Sequence, residues 1–328
     1  MHLTRYFIGP IIATLLSFAA VVWFGGVDAL VIAALLVVLE ISLSFDNAVV
    51  NARVLERMSP VWQQRFLTWG IFFAVFLTRA VLPILIVSAS VFMSPIVIAQ
   101  MAFTDAAHYG ELLEGAHYII GAFGAVFLMM VGLKYFFDEA KETHWIAVVE
   151  KHLARWGRIE AIEIALVLCL LMGAAVIIPA HAVEIFFAGI IGMITFIIVQ
   201  GVASAFEVEE EAASAGLALF LYLNVLDAAF SLDGVVGAFA LSTQLVVIIV
   251  GLGVGAYFVR SFTVYMVREK TLKALVYLEH GAHWAILGLA AAMFGGLVAN
   301  IPEPITGLIG LVFIGLAIFS SWRLRGAF

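Results

Sequence analysis

Ten apolar stretches, each close to the length a helix needs to cross a bilayer, dominate this chain of 328 residues. A hydrocarbon core of roughly 30 Å takes about 20 helical residues. The stretches lie at 6–24, 29–53, 66–91, 115–137, 161–180, 184–206, 214–240, 244–267, 281–299 and 304–322. In lipid every backbone amide must find its partner within the protein, so uninterrupted apolar runs of this length read as helices. With 65% hydrophobic and 12% charged residues, too little polar material remains to coat a water-soluble globule. The expected fold is an all-α polytopic membrane protein forming one transmembrane domain over 1–328, with the lipid bilayer as its first partner.

Charge placement orients the spans. If they alternate from a cytoplasmic N-terminus, the inner side collects Arg5, Arg53, Arg57, Arg65, Lys134, Lys141, Lys151, Arg155, Arg158, Arg268, Lys270, Lys273, Arg323 and Arg325, fourteen of the sixteen Lys and Arg. The outer loops then hold none, as the positive-inside rule demands. Both termini are expected inside, in a multi-pass protein of the inner (plasma) membrane. The first run is read as a span because Trp23, Phe24, Gly25 and Gly26 offer no signal-peptide cleavage site.

The same inventory removes several function classes. A net charge of −7 without any basic tract excludes nucleic acid as a main partner. The single Cys169 excludes a disulfide framework and a Cys-rich metal site. The longest polar segment, 138–160, places Trp145, Val148, Val149, Leu153 and Trp156 at helical spacing, which predicts an amphipathic helix on the inner leaflet. Glu207, Glu209, Glu210 and Glu211 face the same side, as a solvated loop or a cation-collecting surface.

Two segments resemble each other. Leu39–Val50 (LEISLSFDNAVV) and Leu226–Gly237 (LDAAFSLDGVVG) share Leu39 with Leu226, Ser44 with Ser231, Asp46 with Asp233 and Val49 with Val236, while Glu40 answers Asp227. On the next helix Arg79 answers Arg260, and on the one after Glu114-Gly-Ala-His117 answers Glu279-His-Gly-Ala-His283. The copies lie five crossings apart and must run in opposite directions. That predicts a 5+5 inverted repeat, 6–180 against 184–322, an architecture typical of secondary transporters with a site at the midplane.

Acids inside membrane helices need a reason, since each costs about 2.5–3.5 kcal/mol on insertion scales. Glu40, Asp46, Asp227 and Asp233, with Arg79 and Arg260, sum to −2, a charge that one divalent cation or two protons would neutralise. Glu40, Ser44, Asn47 and Asn51 share a helical stripe, whereas Asp46 falls about 120° from Glu40. Either the acids face different neighbours, or the helices unwind around Ser44–Asp46 and Ser231–Asp233. Carboxylates, the Asn47 amide and the Ser44 and Ser231 hydroxyls are hard oxygen donors suited to Mn, Ca or Mg. Packing glue is the competing role for Arg79 and Arg260. Glu114, His117, Glu279 and His283 lie near opposite membrane faces and read as gate-lining residues rather than one metal site.

The segment Leu39-Glu-Ile-Ser-Leu-Ser-Phe-Asp-Asn-Ala-Val-Val-Asn51, with its partner around Ser231-Leu-Asp233, resembles the TerC family of membrane proteins, named for tellurium resistance. That family belongs to the LysE-type exporter group and includes manganese exporters. The resemblance implies Mn(II) efflux, with Glu40, Asp46, Asn47, Asp227 and Asp233 as the transport residues, no resident cofactor, and metal ion and proton as substrates. It departs from that pattern at Gly234, where an Asn would stand if both copies were alike. The readings that follow are a divalent-metal exporter working by proton exchange, a Ca(II) or monovalent cation/proton antiporter, or a non-transporting scaffold in metal or tellurite stress. An enzyme is not expected, because Asp233 lacks the Gly-x-Gly-Asp context of an intramembrane aspartyl protease. Self-assembly into a homo-oligomer is left open.

Overall fold

The computed structural model describes residues 3–326 apart from 160, 209–211, 243, 300 and 302; the side chains at 3–5, 67, 71, 74–76, 203–208, 212–215, 232, 233, 240, 272, 273, 303, 304, 306, 307, 325 and 326 lie outside that description. Among the described residues every regular element is helical. In chain order they are α1 (Leu3–Leu43), α2 (Phe45–Leu55), α3 (Pro60–Phe72), a π-helical segment (Phe73–Val81), α4 (Leu82–Ser90), α5 (Pro95–Thr104), α6 (Ala106–Gly115) and α7 (His117–Phe136). There follow α8 (Ala147–Trp156), α9 (Ile162–Ile177), α10 (Ala182–Val208), α11 (Ala212–Leu241), α12 (Leu245–Arg268), the short α13 (Thr271–Ala274), α14 (Leu278–Val298) and α15 (Glu303–Gly326).

Five of the described helices are long and apolar enough to cross a membrane: Tyr6–Leu43, His117–Phe136, Pro179–Val202, Leu245–Arg268 and Leu278–Val298. A sixth is added if Leu77–Ser90 and Pro95–Thr104, bent by 116° at their junction, form one broken span. The protein is all-α, with apolar helices of membrane-crossing length.

The long α1 hides a reversal. At Gly26 the backbone takes φ 74° and ψ −169°, a conformation open to glycine because it has no Cβ. Contacts with α12 show the outcome. Tyr6 Oη donates to Glu269 Oε1 at 3.2 Å beyond the end of α12, and Gly25 lies beside Gln244 at its start. After the bend Leu36 packs on Gly251, Glu40 on Gly255 and Phe45 on Phe262. The arm before Gly26 therefore runs antiparallel to α12 and the arm after it runs parallel, so α1 is a hairpin; its first arm covers the apolar run at 6–24, and its second covers the run at 29–53 only as far as Leu43, beyond which α2 carries it on.

Other pairs alternate in the same way. Gly121 meets Leu297 while Gly132 meets Leu287, setting α7 antiparallel to α14. Gly281 packs on Phe313 and Ala317 while Gly288 packs on Ile309, setting α14 antiparallel to α15. Arg53 at the end of α2 pairs with Glu279 at the start of α14, and Lys134 at the end of α7 approaches Glu163 at the start of α9, so these termini gather at one basic end.

Two elements differ from the sequence reading. The segment expected to be helical over 138–160 forms a helix only at Ala147–Trp156, and Glu150 in its first turn is fully buried instead of facing headgroups. Between the apolar stretches at 66–91 and 115–137, where no span is expected, the chain forms α5 and α6. The start signals are local: Ser94 precedes Pro95, and the Asp105 carboxylate caps α6 by accepting from His108 N at 3.2 Å.

Candidate functional site

The site begins with how closely three helices approach. Gly251 and Gly255 sit one turn apart on α12; a Cβ on Gly255 would lie 2.6 Å from Glu40 Cβ and Cγ, and one on Gly251 would lie 2.5 Å from Leu36 Cβ. This small-xxx-small spacing lets α12 close on the helix that carries Glu40. Arg79 comes from the π-helical segment, where Leu82 N bonds to Leu77 O in place of the usual fourth-residue acceptor. Pro83 has no N–H to offer the Arg79 carbonyl, and the widened turn accommodates that missing donor.

Five side chains then meet in the interior. Arg79 Nη2 donates to Glu40 Oε1, and Arg79 Nη1 lies 3.9 Å from Asp227 Oδ2. Ser44 Oγ donates to Glu40 Oε1 at 2.8 Å, and Asn47 Nδ2 donates to Asp227 Oδ1 at 2.7 Å. All five residues are buried. The stripe of Glu40, Ser44 and Asn47 thus forms one continuous network with Arg79 and Asp227.

Asp46 stands apart. Its Oδ1 accepts from Asn47 N at 2.9 Å, and it faces Gly310 of α15, where a Cβ would be 3.8 Å from its Oδ2. Of the two geometries left open by the sequence, different neighbours prevail over unwinding. The break at Ser44 is slight, since Ser44 N still bonds to Glu40 O and Ala48 N to Ser44 O, and α11 continues through Ser231–Asp233. The Asp233 side chain lies outside the described residues. Among the described residues no three His, Cys, Asp or Glu converge on a position able to hold a metal ion. The other oxygens near the network are more telling: Asn47 Oδ1, Asn51 Oδ1, Asp227 Oδ2 and Ser231 Oγ are buried without a hydrogen-bond donor.

Arg260 does not repeat the role of Arg79. Its Nη1 donates to Phe66 O at 2.8 Å and its guanidinium lies 3.9 Å from the centre of the Phe66 ring; among the described residues it forms no ion pair. The candidate gate residues divide between the two ends. His117 Nε2 contacts Gly296 O at 3.2 Å, and Glu114 is exposed. At the basic end His283 stacks on Tyr135, and Glu279 Oε2 meets Arg53 Nε at 3.2 Å. A cavity of about 490 Å³ opens there, lined by Val50, Arg53, Lys134, Glu163, Glu279 and His283 among others.

Sequence reasoning missed Glu150. It accepts from Lys141 Nζ (3.1 Å), Trp145 N (3.1 Å), Ile146 N (3.2 Å), His280 Nδ1 (2.9 Å) and Trp284 Nε1 (3.0 Å), which pins α8 to the start of α14. Burial alone would push this carboxyl up, but the bonds from His280, Trp284 and the Ile146 amide outweigh it and hold it well below the usual carboxylate range. Lys141 is pulled below its ordinary value by burial, partly offset by Glu150. The only sequence signal was an acid in the first turn of a helix otherwise read as lying on lipid.

Fold and site define a class: an all-helical protein with membrane-length apolar helices and a buried acid–arginine–amide network. The family described as protein of unknown function (DUF475) matches residues 45–325, and the chain belongs to that family. Glu40 precedes the matched region. No curated protein and no solved structure matches the chain.

Proposed function

We propose that the chain is a secondary transporter that moves a divalent metal cation, Mn(II) foremost, out of the cell in exchange for protons. The observation that carries the reading is Asp227. It is a buried carboxylate held at Oδ1 by Asn47 and approached by Arg79, with Oδ2 left without a hydrogen bond and the orphaned Ser231 Oγ one helical turn away. Such hard oxygens suit Mn, Mg or Ca. In this reading Arg79 acts as a tethered cation: it bridges Glu40 and Asp227 and gives way as metal arrives, while Asp46 and Asp233 belong to the path on either side. The likeness of Leu39–Asn51 to the TerC family supports the same choice. The protein supplies no cofactor and performs no covalent chemistry.

The reading includes ten passes in a 5+5 inverted repeat, with both termini in the cytoplasm of a plasma-membrane protein. The α1 hairpin, the opposed directions of α7 and α14, and the gathering of Arg53, Lys134, Glu163 and Glu279 at one end support it. The deciding experiment is flux in proteoliposomes with Mn, Ca, Mg and Zn, with and without a pH gradient. Mn movement accelerated by an opposing proton gradient is expected. Absence of flux for all four ions would overturn the proposal, and Ca flux without Mn flux would move the substrate to Ca(II).

A further inference from the structure

Asn51 has no part in the network around Arg79, yet it is 3% exposed and its Oδ1 meets no donor. Asn47, one helical turn away on the same stripe, is fully buried; its Nδ2 is committed to Asp227 and its Oδ1 is likewise unpartnered. A buried acceptor without a donor is unfavourable. Two on one helix face, about 6 Å apart along the axis, present neutral oxygens to the same seam.

We infer that Asn51 and Asn47 form a neutral-oxygen cation station on the basic-end side of Asp227, through which a hard divalent ion passes between the cavity and the charged network. The inference rests on the transport reading above. Its position follows from its neighbours: Val50, Arg53 and Val54, from the same turn of α2, line the 490 Å³ cavity, and Arg53 pairs with Glu279 there. Along α2, Asn51 falls between Asn47, which holds Asp227, and Arg53 and Val54, which line the cavity. Amide carbonyl oxygens are ordinary ligands for Ca and related hard ions, and without a formal charge they hold the ion less tightly than Asp227 does. Passage requires binding firm enough to admit the ion and weak enough to release it. Four acids on the cavity wall, Asp138, Glu139, Glu163 and Glu279, offset the three basic residues Arg53, Arg57 and Lys134.

The second copy has no equivalent. Gly234 stands where Asn47 would be matched and Ala238 where Asn51 would be. The station therefore exists on one side only, and it adds to the difference between the two faces: ion arriving from the basic end meets graded oxygens before the carboxylates.

The test uses the full-length protein in oriented proteoliposomes, with Mn(II) presented at the basic face. Asn51→Leu keeps the branched side-chain shape at a larger volume and removes the oxygen together with the amide nitrogen. It is expected to raise the half-saturating Mn concentration at that face at least tenfold, with less than a threefold change at the opposite face. Asn51→Asp is expected to lower it at least tenfold. If Asn51→Leu does not fold, the Asn51→Asp result decides alone. Wild-type flux with both variants within twofold of wild type at the basic face would overturn this inference and leave the transport reading intact. Equal shifts at both faces would also overturn it. No flux of Mn, Ca, Mg or Zn by the wild type would overturn the transport reading and this inference with it.

Discussion

Asn47 and Asp227, 180 residues apart in the chain, are joined by a 2.7 Å hydrogen bond in the protein interior. The bond is a direct link between the two similar segments, and a hydrogen bond to a charged group contributes about 1.5–3 kcal/mol. Asp227→Asn removes the charge at nearly constant volume. It is expected to abolish metal flux while the protein still inserts and elutes as wild type on gel filtration. Flux at the wild-type rate would make Asp227 a packing residue.

Arg79 and Glu40 form a buried pair, so either partner alone is a liability. Arg79→Gln should cost about 3–5 kcal/mol, because it leaves Glu40 and Asp227 without their cation, and Glu40→Gln should cost less, because Arg79 keeps Asp227 as a partner. The double variant should be more stable than Arg79→Gln, since both charges leave together. Thermal unfolding in detergent measures all three; additive losses would show that the two side chains are not coupled.

At Gly255 the same network can be disturbed by sterics. A methyl group there meets Glu40 and the Val37 carbonyl, whose oxygen would lie 3.1 Å from it. Gly255→Ala should destabilise by about 1–3 kcal/mol through overpacking. Gly296→Ala, where a Cβ meets nothing within 4 Å, should be neutral or slightly stabilising. Comparison of the two melting temperatures checks the close approach of α12.

The buried Glu150 sets a pH dependence with a definite sign. Its carboxyl is held below its ordinary value near 4.5, so the stabilisation it gives is complete above that pH and is lost as pH falls toward the lowered value. Hydrogen exchange in Ala147–Trp156, corrected for intrinsic rates, should show no Glu150-dependent loosening between pH 8 and 5, and should loosen below about 4.5. Glu150→Gln strands Lys141 and should loosen the segment throughout, at a cost of about 3 kcal/mol.

Reporter fusions test the topology. Tags at the C-terminus and within 138–160 should both be accessible from the cytoplasm. A C-terminal tag reached only from outside would remove the ten-pass reading and the inverted repeat with it.

Much of this was legible because lipid narrows the choices. Run length located the helices, since α7, α9, α10, α11, α12 and α14 begin and end within a few residues of the apolar stretches. The 100° advance per residue correctly separated Asp46 from Glu40. What escaped depended on contacts between distant segments. Nothing near Arg260 announces that its guanidinium is satisfied by the carbonyl and ring of Phe66. Nothing near Glu150 announces His280 and Trp284, which lie 130 and 134 residues away. Other features carried local signals that are clear only once the helices are placed: Pro83 after Arg79, the Gly251–Gly255 pair, and the caps of α5 and α6.

The bond between Asn47 and Asp227 also sets an order of assembly during synthesis. A ribosome adding roughly 5–20 residues per second delivers Asp227 on the order of ten seconds or more after Asn47. Glu40 and Arg79 emerge close together and can neutralise each other in the growing chain. Asn47 cannot: its partner is still unmade when the first helices leave the insertion machinery. In the nascent first half Glu40 and Arg79 can therefore pair while the Asn47 amide still lacks its partner, and arrival of α11 is the event that closes this network.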